Sequence, residues 1–333
     1  MNTSMPPTDP DEPEEPDVDA DADSEGEDLD AAPVVHVPVL LEECLRVLAP
    51  RPGAFAVDVT LGAGGHSEQL LRALAPGGHL LALDVDPEAL PRGEVRLRAL
   101  AQELSVGLTL ERANFNALPE VLRHKFPNRA PDAILADLGV SSPQLDQPER
   151  GFSFRVDAPL DMRMDPTLPE TAADLLRNRT EEELADIIFF LGNEPKARRI
   201  ARWIMGARER NLPLETTGQL EHMVRRALKV RGHRRVHPAT KTFMALRMAV
   251  NKELEVLETF LESAPETLAP GGVLAVISFH SGEDRLVKHG FKAQAKSGRF
   301  QLVDKQVIRP SAEECARNPR ARSAKMRALR RIP

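Results

Sequence analysis

The sequence predicts an α/β fold, a parallel sheet assembled from βα units and interrupted by a helical insertion. Three observations carry that prediction. Short apolar runs alternate with helical stretches through the first half of the chain, the pattern of strands that need crossover helices to lie parallel. The first run ends at Asp58 and opens into a turn with three glycines, Gly62, Gly64 and Gly65, while the second ends in Asp84. The alternation then lapses until 272–279, an apolar run that reads as one more buried strand.

The chain has 333 residues and a net charge of -7, unevenly spread. Residues 1–33 hold 13 Asp and Glu and no Lys or Arg, which leaves the remainder at +6. This acidic, Pro-rich arm has no aromatic residue and too little apolar surface to offset chain entropy, so it is predicted to be disordered. It lacks the basic start and apolar stretch of a signal peptide. No apolar run approaches the ~18 residues of a membrane span. The two cysteines, Cys44 and Cys315, match no metal-ligand spacing or disulfide framework and fit a reducing cytoplasm. With no tyrosine and one tryptophan, an open aromatic platform for single-stranded RNA is not expected.

Residues 54–59, 80–83, 108–111 and 133–138 read as the first four strands and 272–279 as the fifth. After the fourth strand the chain reads as helical. Thr180 and Glu183 form a capping box before Leu184, Ile187 and Ile188. Residues 195–210 form a basic helix. Pro238 opens a long helix whose Phe243, Leu246, Val250, Leu254, Leu257 and Leu261 share one apolar stripe and which leads into the fifth strand. The tail from Phe300 reads as an arginine-rich strand pair. The expected organisation is an acidic arm over 1–33, an α/β domain over 34–145 and 241–333, and a helical insertion over 146–240 that recognises substrate.

The glycine turn brings backbone close to a ligand at the mouth of a parallel sheet. Asp84, 20 residues after Gly64, stands where a carboxylate grips a ribose hydroxyl. An adenosine-containing cofactor is therefore expected. The turn alone leaves a dinucleotide, S-adenosylmethionine and a tight ligand-free βα turn all open. The dinucleotide pattern G-x-G-x-x-G lacks its third glycine, because Ser67 stands there. The end of the fourth strand decides. Asp137-Leu138-Gly139-Val140-Ser141-Ser142-Pro143-Gln144 sets a carboxylate, two hydroxyls and an amide on the edge where open α/β sheets bind ligands. A sulfonium cation tolerates that carboxylate, whereas a pyrophosphate is repelled by it.

The segments D-L-G-V-S-S-P-Q-L-D, E-R-G-F-S-F, P-L-D-M-R-M-D, H-P-A-T, I-S-F-H-S and N-P-R-A-R-S-A occur in that order between His36 and about Arg327. Together they resemble the bacterial 16S ribosomal RNA cytosine-N4 methyltransferase family. The resemblance implies a class I methyltransferase, Rossmann-like sheet with a helical insertion after strand four. It implies S-adenosylmethionine as cofactor. It implies methyl transfer to the N4 exocyclic amine of a cytidine in the decoding (P-site) region of 16S rRNA within the small ribosomal subunit. On the same resemblance Gly64, Gly65 and His66 line the methionine end of the cofactor, Asp84 holds the ribose, Phe115 borders the adenine, and Asp137 and Gln144 complete the pocket. The sequence departs from the family at Met244, where a glutamine is usual, at Gly282, where a leucine is usual, and at Asn193, where an acidic residue is usual.

Cytosine's exocyclic amine is a poor nucleophile because its lone pair is spread into the ring. Catalysis is then mostly placement, with reacting atoms ~3–3.5 Å apart, helped by acceptors that hold the N–H bonds and take the proton. Asp137 is the first candidate for that contact, its alternative role being to hold the cofactor. Ser141 and Ser142 are candidates to orient the base, or serve the turn. His280, at the end of the fifth strand, is a candidate to accept a proton or bind a phosphate, or bonds Ser278 or backbone. His237 reads as a helix opener. Phe152 and Phe154 anchor the insertion or stack on an extruded base. Asp157, Asp161 and Asp165 are spaced by four with Arg163 among them, and no metal is expected. RNA phosphates need cations, which cluster at Lys196, Arg198, Arg199 and Arg202, at Arg231, His233, Arg234 and Arg235, and in the tail at Arg317, Arg320, Arg322, Lys325, Arg327, Arg330 and Arg331. The rival readings are a nicotinamide-dependent oxidoreductase, a non-catalytic cofactor-binding ribosome-assembly factor, and a DNA cytosine methylase.

Overall fold

The computed structural model describes residues 38–229 and 237–333. The acidic arm over 1–33 and the cationic cluster over 231–235 lie outside the described residues. In chain order the elements are α1 (Leu41–Leu48), β1 (Phe55–Asp58), α2 (Gly65–Leu74), β2 (His79–Asp84), α3 (Ala89–Glu103), β3 (Gly107–Arg112), α4 (Leu118–Lys125) and β4 (Ala133–Asp137). Between β4 and β5 (Val273–Ser278) come α5 (Ser142–Leu145), α6 (Ala172–Asn178), α7 (Glu181–Asp186), α8 (Ala197–Glu209), α9 (Thr217–Leu228), α10 (Thr240–Asn251) and α11 (Glu253–Thr267). The chain ends with α12 (Ser281–Lys296), β6 (Phe300–Leu302), α13 (Ala312–Arg317) and β7 (Lys325–Arg331).

All five strands expected from the apolar runs form. The sheet has the order β3-β2-β1-β4-β5-β7-β6. Strands β1 to β5 run parallel, and β7 lies antiparallel between β5 and β6. The tail therefore is the expected strand pair, with α13 between its halves. β2 and β3 leave β1 on one side, and β4 and β5 leave it on the other. The C-terminal ends of β1 and β4 thus flank the switch point where an open parallel sheet has its ligand crevice. β1 and β5 are buried at every position, which is why they read as unbroken apolar runs rather than alternating ones.

Each face of the sheet has its own core. Leu70, Leu71 and Leu74 of α2 and Leu97 of α3 pack on one face. Leu118 of α4, Leu257 and Phe260 of α11 and Phe291 of α12 pack on the other. A third cluster joins Leu175, Leu184, Ile200, Ile204, Leu220 and Val224 from α6 to α9, and it takes in Phe243, Leu246 and Val250 of α10. The Thr180 capping box is present, with Glu183 N–H donating to Thr180 Oγ1 at 3.2 Å.

The single long helix expected from Pro238 is two helices. Lys252 sits between them in the left-handed region, at φ 50° and ψ 40°, and Arg247 spans the break with two 2.8 Å bonds to Glu253. The apolar stripe is real, but its first half faces the third cluster and its second half faces the sheet. Periodicity reports that a face is buried and not which core buries it. Among the described residues no helix is long and apolar enough to cross a membrane.

Candidate active site

The site is assembled where β1, β2 and β4 end. After β1 the backbone keeps bonding to both neighbours, Val59 N–H to Leu135 O at 2.9 Å and Leu61 N–H to Leu83 O at 2.8 Å. The glycine turn follows. Gly64 adopts φ +78° immediately before α2, a conformation that costs a side-chain residue strain. At Gly65 a Cβ would lie 2.5 Å from Pro38 Cγ, so this glycine is also required by packing.

Four acids surround the turn. Asp58 is buried and accepts from Ser67 Oγ at 2.7 Å and from Thr60 N at 3.1 Å, which fastens α2 to β1. Burial pushes its pKa up, against the Ser67 hydroxyl and His66, which pull it down. Asp84 accepts the N–H of Gly62 at 2.8 Å and of Asp86 at 2.9 Å. Burial raises its pKa to about 6 despite those two donors. Asp86, almost fully buried, accepts from Gln144 Nε2 at 2.8 Å and from Arg150 Nη1 at 3.0 Å. Arg150 in turn donates to the carbonyls of Arg163 and Met164, each at 3.0 Å, and so ties that loop to the end of β2.

Asp137 closes β4. Its N–H donates to Thr60 Oγ1 at 2.7 Å. Its carboxylate Oδ2 stands 3.6 Å from His66 Nε2, too far for a hydrogen bond. Asp137 Oδ1 and His66 Nε2 are both buried without a hydrogen-bond partner. Burial alone would lower the His66 pKa, but Asp137 and Asp58 override it and hold the ring above its ordinary value. A third buried acceptor without a partner is Asn114 Oδ1. It lies next to Phe115, which starts the turn after β3 and packs edge-on against Phe260 at 5.3 Å.

The structure thus gathers Gly64, Gly65, His66, Asp84, Asp137 and Gln144 at the C-terminal ends of β1, β2 and β4, with Phe115 after the end of β3. Gln144 is buried and its amide is used within the protein, Oε1 accepting Ser141 N–H at 2.9 Å. Ser141 caps α5. Ser142 Oγ accepts from Arg320 Nη1 of the tail. His280 is employed as the N-cap of α12, its Nδ1 accepting Glu283 N–H at 3.3 Å. It bonds neither to Ser278, whose hydroxyl reaches Lys325 O, nor through Nε2, which lies 3.1 Å from Glu283 Oε1 without hydrogen-bond alignment. Gly282 leaves the ring room, since a Cβ there would stand 3.2 Å from His280 Nδ1.

Phe152 lies in the third cluster. Phe154 packs between His237, at 4.5 Å, and Phe243, at 4.9 Å. Asp157, Asp161 and Asp165 part company: the first accepts Gly218 N–H, the second pairs with Arg163 and the third with Arg112. Among the described residues no group of three His, Cys, Asp or Glu is placed to hold a metal ion. Both cysteines are free thiols. On α8 Arg198 is exposed, while Arg202 pairs with Glu181 at 3.6 Å. In β7 Lys325 and Arg327 meet Asp284.

Sequence reasoning missed Asp86 and Arg150 as parts of the site. The signal for Asp86 was the second acid of D-V-D, which spacing alone could not rank. Arg150 had no local signal, since its partners are 64 and 13 residues away.

A parallel sheet that switches direction between β1 and β4, adds an antiparallel β7, and ends β2 in an acid beside a glycine turn defines a class I methyltransferase, the class that uses S-adenosylmethionine. The chain belongs to the MraW methylase family, whose model matches residues 33–332. It is 48% identical to the ribosomal RNA small subunit methyltransferase H of Cyanothece sp., over 90% of this chain and 95% of that one. It is 48% identical to the protein of the same name from Syntrophobacter fumaroxidans, over 88% of this chain and 95% of that one. Among solved structures, a methyltransferase homologue from Pyrococcus horikoshii superposes with a TM-score of 0.41 at 14% identity, over 88% of this chain and 66% of that one.

Proposed function

We propose that this protein methylates the N4 exocyclic amine of a cytidine in the decoding region of 16S rRNA, within the small ribosomal subunit and in the cytoplasm. The observation that carries the reading is that Asp137 Oδ1 and His66 Nε2 are both buried without hydrogen-bond partners on two residues that face each other at the switch point, His66 Nε2 standing 3.6 Å from Asp137 Oδ2. Buried polar atoms are seldom left unpaired, and a bound ligand, water or catalytic role accounts for those that are; here two of them meet beside the glycine turn. The rRNA substrate is supported by the names of the relatives, and the cytidine N4 target by the six segments that resemble the N4-methyltransferase family.

The residues present fit S-adenosylmethionine. Gly64, Gly65 and His66 would hold its methionine end, Asp84 its ribose, Phe115 and Asn114 its adenine, and Asp137 and Gln144 the remaining edge. When bound, the cofactor supplies an activated methyl group. The chain's own contribution is then alignment and proton removal. Asp137 Oδ1 is free to accept an N–H of the target amine, which aims the nitrogen lone pair and later receives the proton. His66, held at 3.6 Å, stabilises the Asp137 carboxylate when its ring is protonated. The helical insertion over 146–240, with the cations of α8, is assigned to substrate recognition.

The test is to incubate the protein with unmethylated small subunits and methyl-labelled cofactor and to map the label. Label on the N4 of a decoding-region cytidine supports the reading. Cofactor binding without transfer favours an assembly factor, and transfer to DNA a DNA methylase. Binding of a nicotinamide nucleotide in place of the cofactor favours an oxidoreductase.

A further inference from the structure

We propose that Arg320 takes the phosphate of the target nucleotide at the mouth of the site, with Ser142 aiming its guanidinium. The proposal rests on the RNA methyltransferase reading above. It begins with how firmly the tail holds this residue. Arg320 lies in a short 3-10 turn, Pro319–Ser323, capped by Asn318, whose Oδ1 accepts the Arg320 N–H at 3.2 Å. Ala321 in the same turn and Ala324 just after it are fully buried in the sheet core. The preceding helix α13 is fastened from the other end of the chain, where Leu40 N–H donates to Glu314 Oε1 at 2.7 Å. The backbone under Arg320 is therefore fixed.

From there the guanidinium reaches 178 residues back along the chain and donates to Ser142 Oγ. Ser142 belongs to the stretch that follows Asp137, so the cation stands at the edge of the crevice. Both side chains are half-buried. A serine hydroxyl satisfies one of the five guanidinium donors and none of the charge. Among the described residues Arg320 has no carboxylate partner. Three other cations of the tail are committed elsewhere. Lys325 and Arg327 meet Asp284 at 3.6 and 2.7 Å, and Arg331 donates to the carbonyls of Glu266 and Leu268 at 3.1 and 2.6 Å.

A half-buried, uncompensated guanidinium is costly to maintain unless an anion completes it. The planar fork matches a phosphate through two parallel bonds. A nucleotide entering the crevice base-first carries its phosphate to the rim, which is where Arg320 stands. The other anion of matching size is a carboxylate, as in the amino-acid part of the cofactor, and the experiment separates the two.

The full-length protein and its Arg320→Gln and Arg320→Lys variants are titrated with a fluorescent RNA fragment spanning the decoding region over a range of salt. Cofactor affinity is measured calorimetrically on the same samples. Arg320→Gln is expected to weaken RNA binding by about tenfold and to lower the slope of log affinity against log salt by about one, as the loss of one phosphate contact does. Arg320→Lys keeps the slope, and all three proteins bind cofactor equally. An unchanged slope in Arg320→Gln overturns the proposal. So does a loss of cofactor affinity with RNA binding intact, which marks a carboxylate partner instead. Should Arg320→Gln fail to fold, Ser142→Ala keeps the charge and removes its aim. It is expected to weaken RNA binding with the slope retained, and undiminished RNA affinity overturns the proposal. The salt slope needs no turnover, so failure of the wild-type protein to methylate RNA is read separately.

Discussion

His66 Nε2 faces Asp137 Oδ2 across 3.6 Å, and the two residues belong to the helix after β1 and to the end of β4. The pair crosses the switch point of the sheet. The charge state of His66 follows pH, and the direction is fixed by its surroundings. Burial alone would lower the His66 pKa, yet the carboxylates of Asp137 and Asp58 raise it above 6.5. A group whose folded pKa is raised contributes stability that is fully present below its unfolded value and lost as pH rises through the folded one. His66→Gln is therefore expected to be less stable than wild type in acid, with the gap closing as pH rises above 6.5. Urea denaturation at a series of pH values measures the gap; a gap that widens with pH contradicts the assignment.

Asp84 titrates in an accessible range. Burial raises its pKa from 3.8 to about 6, so its own contribution to the ligand-free fold is lost as pH rises from 3.8 through about 6. The ionised form is the better acceptor for a ribose hydroxyl. Cofactor affinity is expected to climb as pH rises through about 6 and then level off. Asp84→Ala should weaken cofactor binding by ~1.5–3 kcal/mol, the scale of a hydrogen bond to a charged group, and should remove the pH dependence. Calorimetry across the same pH range gives both numbers, and unaffected binding would take Asp84 out of the site.

Arg150 is a buried cation whose charge is met by Asp86 at 3.0 Å and whose remaining donors are met by two carbonyls. Removing one partner of such a pair leaves the other buried and unpaired. Arg150→Met is expected to cost ~3–5 kcal/mol in chemical denaturation. Asp86→Asn in the same background should recover part of that loss, because the uncompensated carboxylate is gone. Strict additivity of the two changes would mean that the pair is not coupled.

Lys252 joins α10 to α11 at φ 50°, a region that costs a residue with a Cβ about 1–2 kcal/mol. Lys252→Gly removes that strain and adds chain entropy to the unfolded state. A net gain of about 0.5–1 kcal/mol is expected, visible as a rise in Tm. A fall in Tm would mean that Lys252 makes a stabilising contact outweighing its backbone strain.

Much of this architecture was legible in the residues. The five parallel strands are short apolar runs with turn residues between them, and burial on both faces makes such runs conspicuous. The glycine turn and the acid of β2 were legible because their spacing is local to one βα unit. Other features were not local. The helix break at Lys252 leaves no mark, since lysine is an ordinary helix residue and the apolar stripe continues through it. For His280 the sequence leaves a chemical role and a bond to Ser278 or backbone both open; its Nδ1 takes the backbone N–H of Glu283 in a helix cap that depends on how α12 leaves β5. The Arg150–Asp86 contact joins residues 64 apart, and no periodicity encodes it.

By itself the sequence determined the class of fold, the five parallel strands, the arginine-rich tail pair and the family, because each rests on residue order over short stretches or on ordered motifs. The tertiary structure decided which polar atoms are left without partners, which cations are neutralised and which core each helix face enters. The physical reason is that desolvation and charge pairing depend on what lies within a few ångströms in space, and neighbours at that range come from distant parts of the chain.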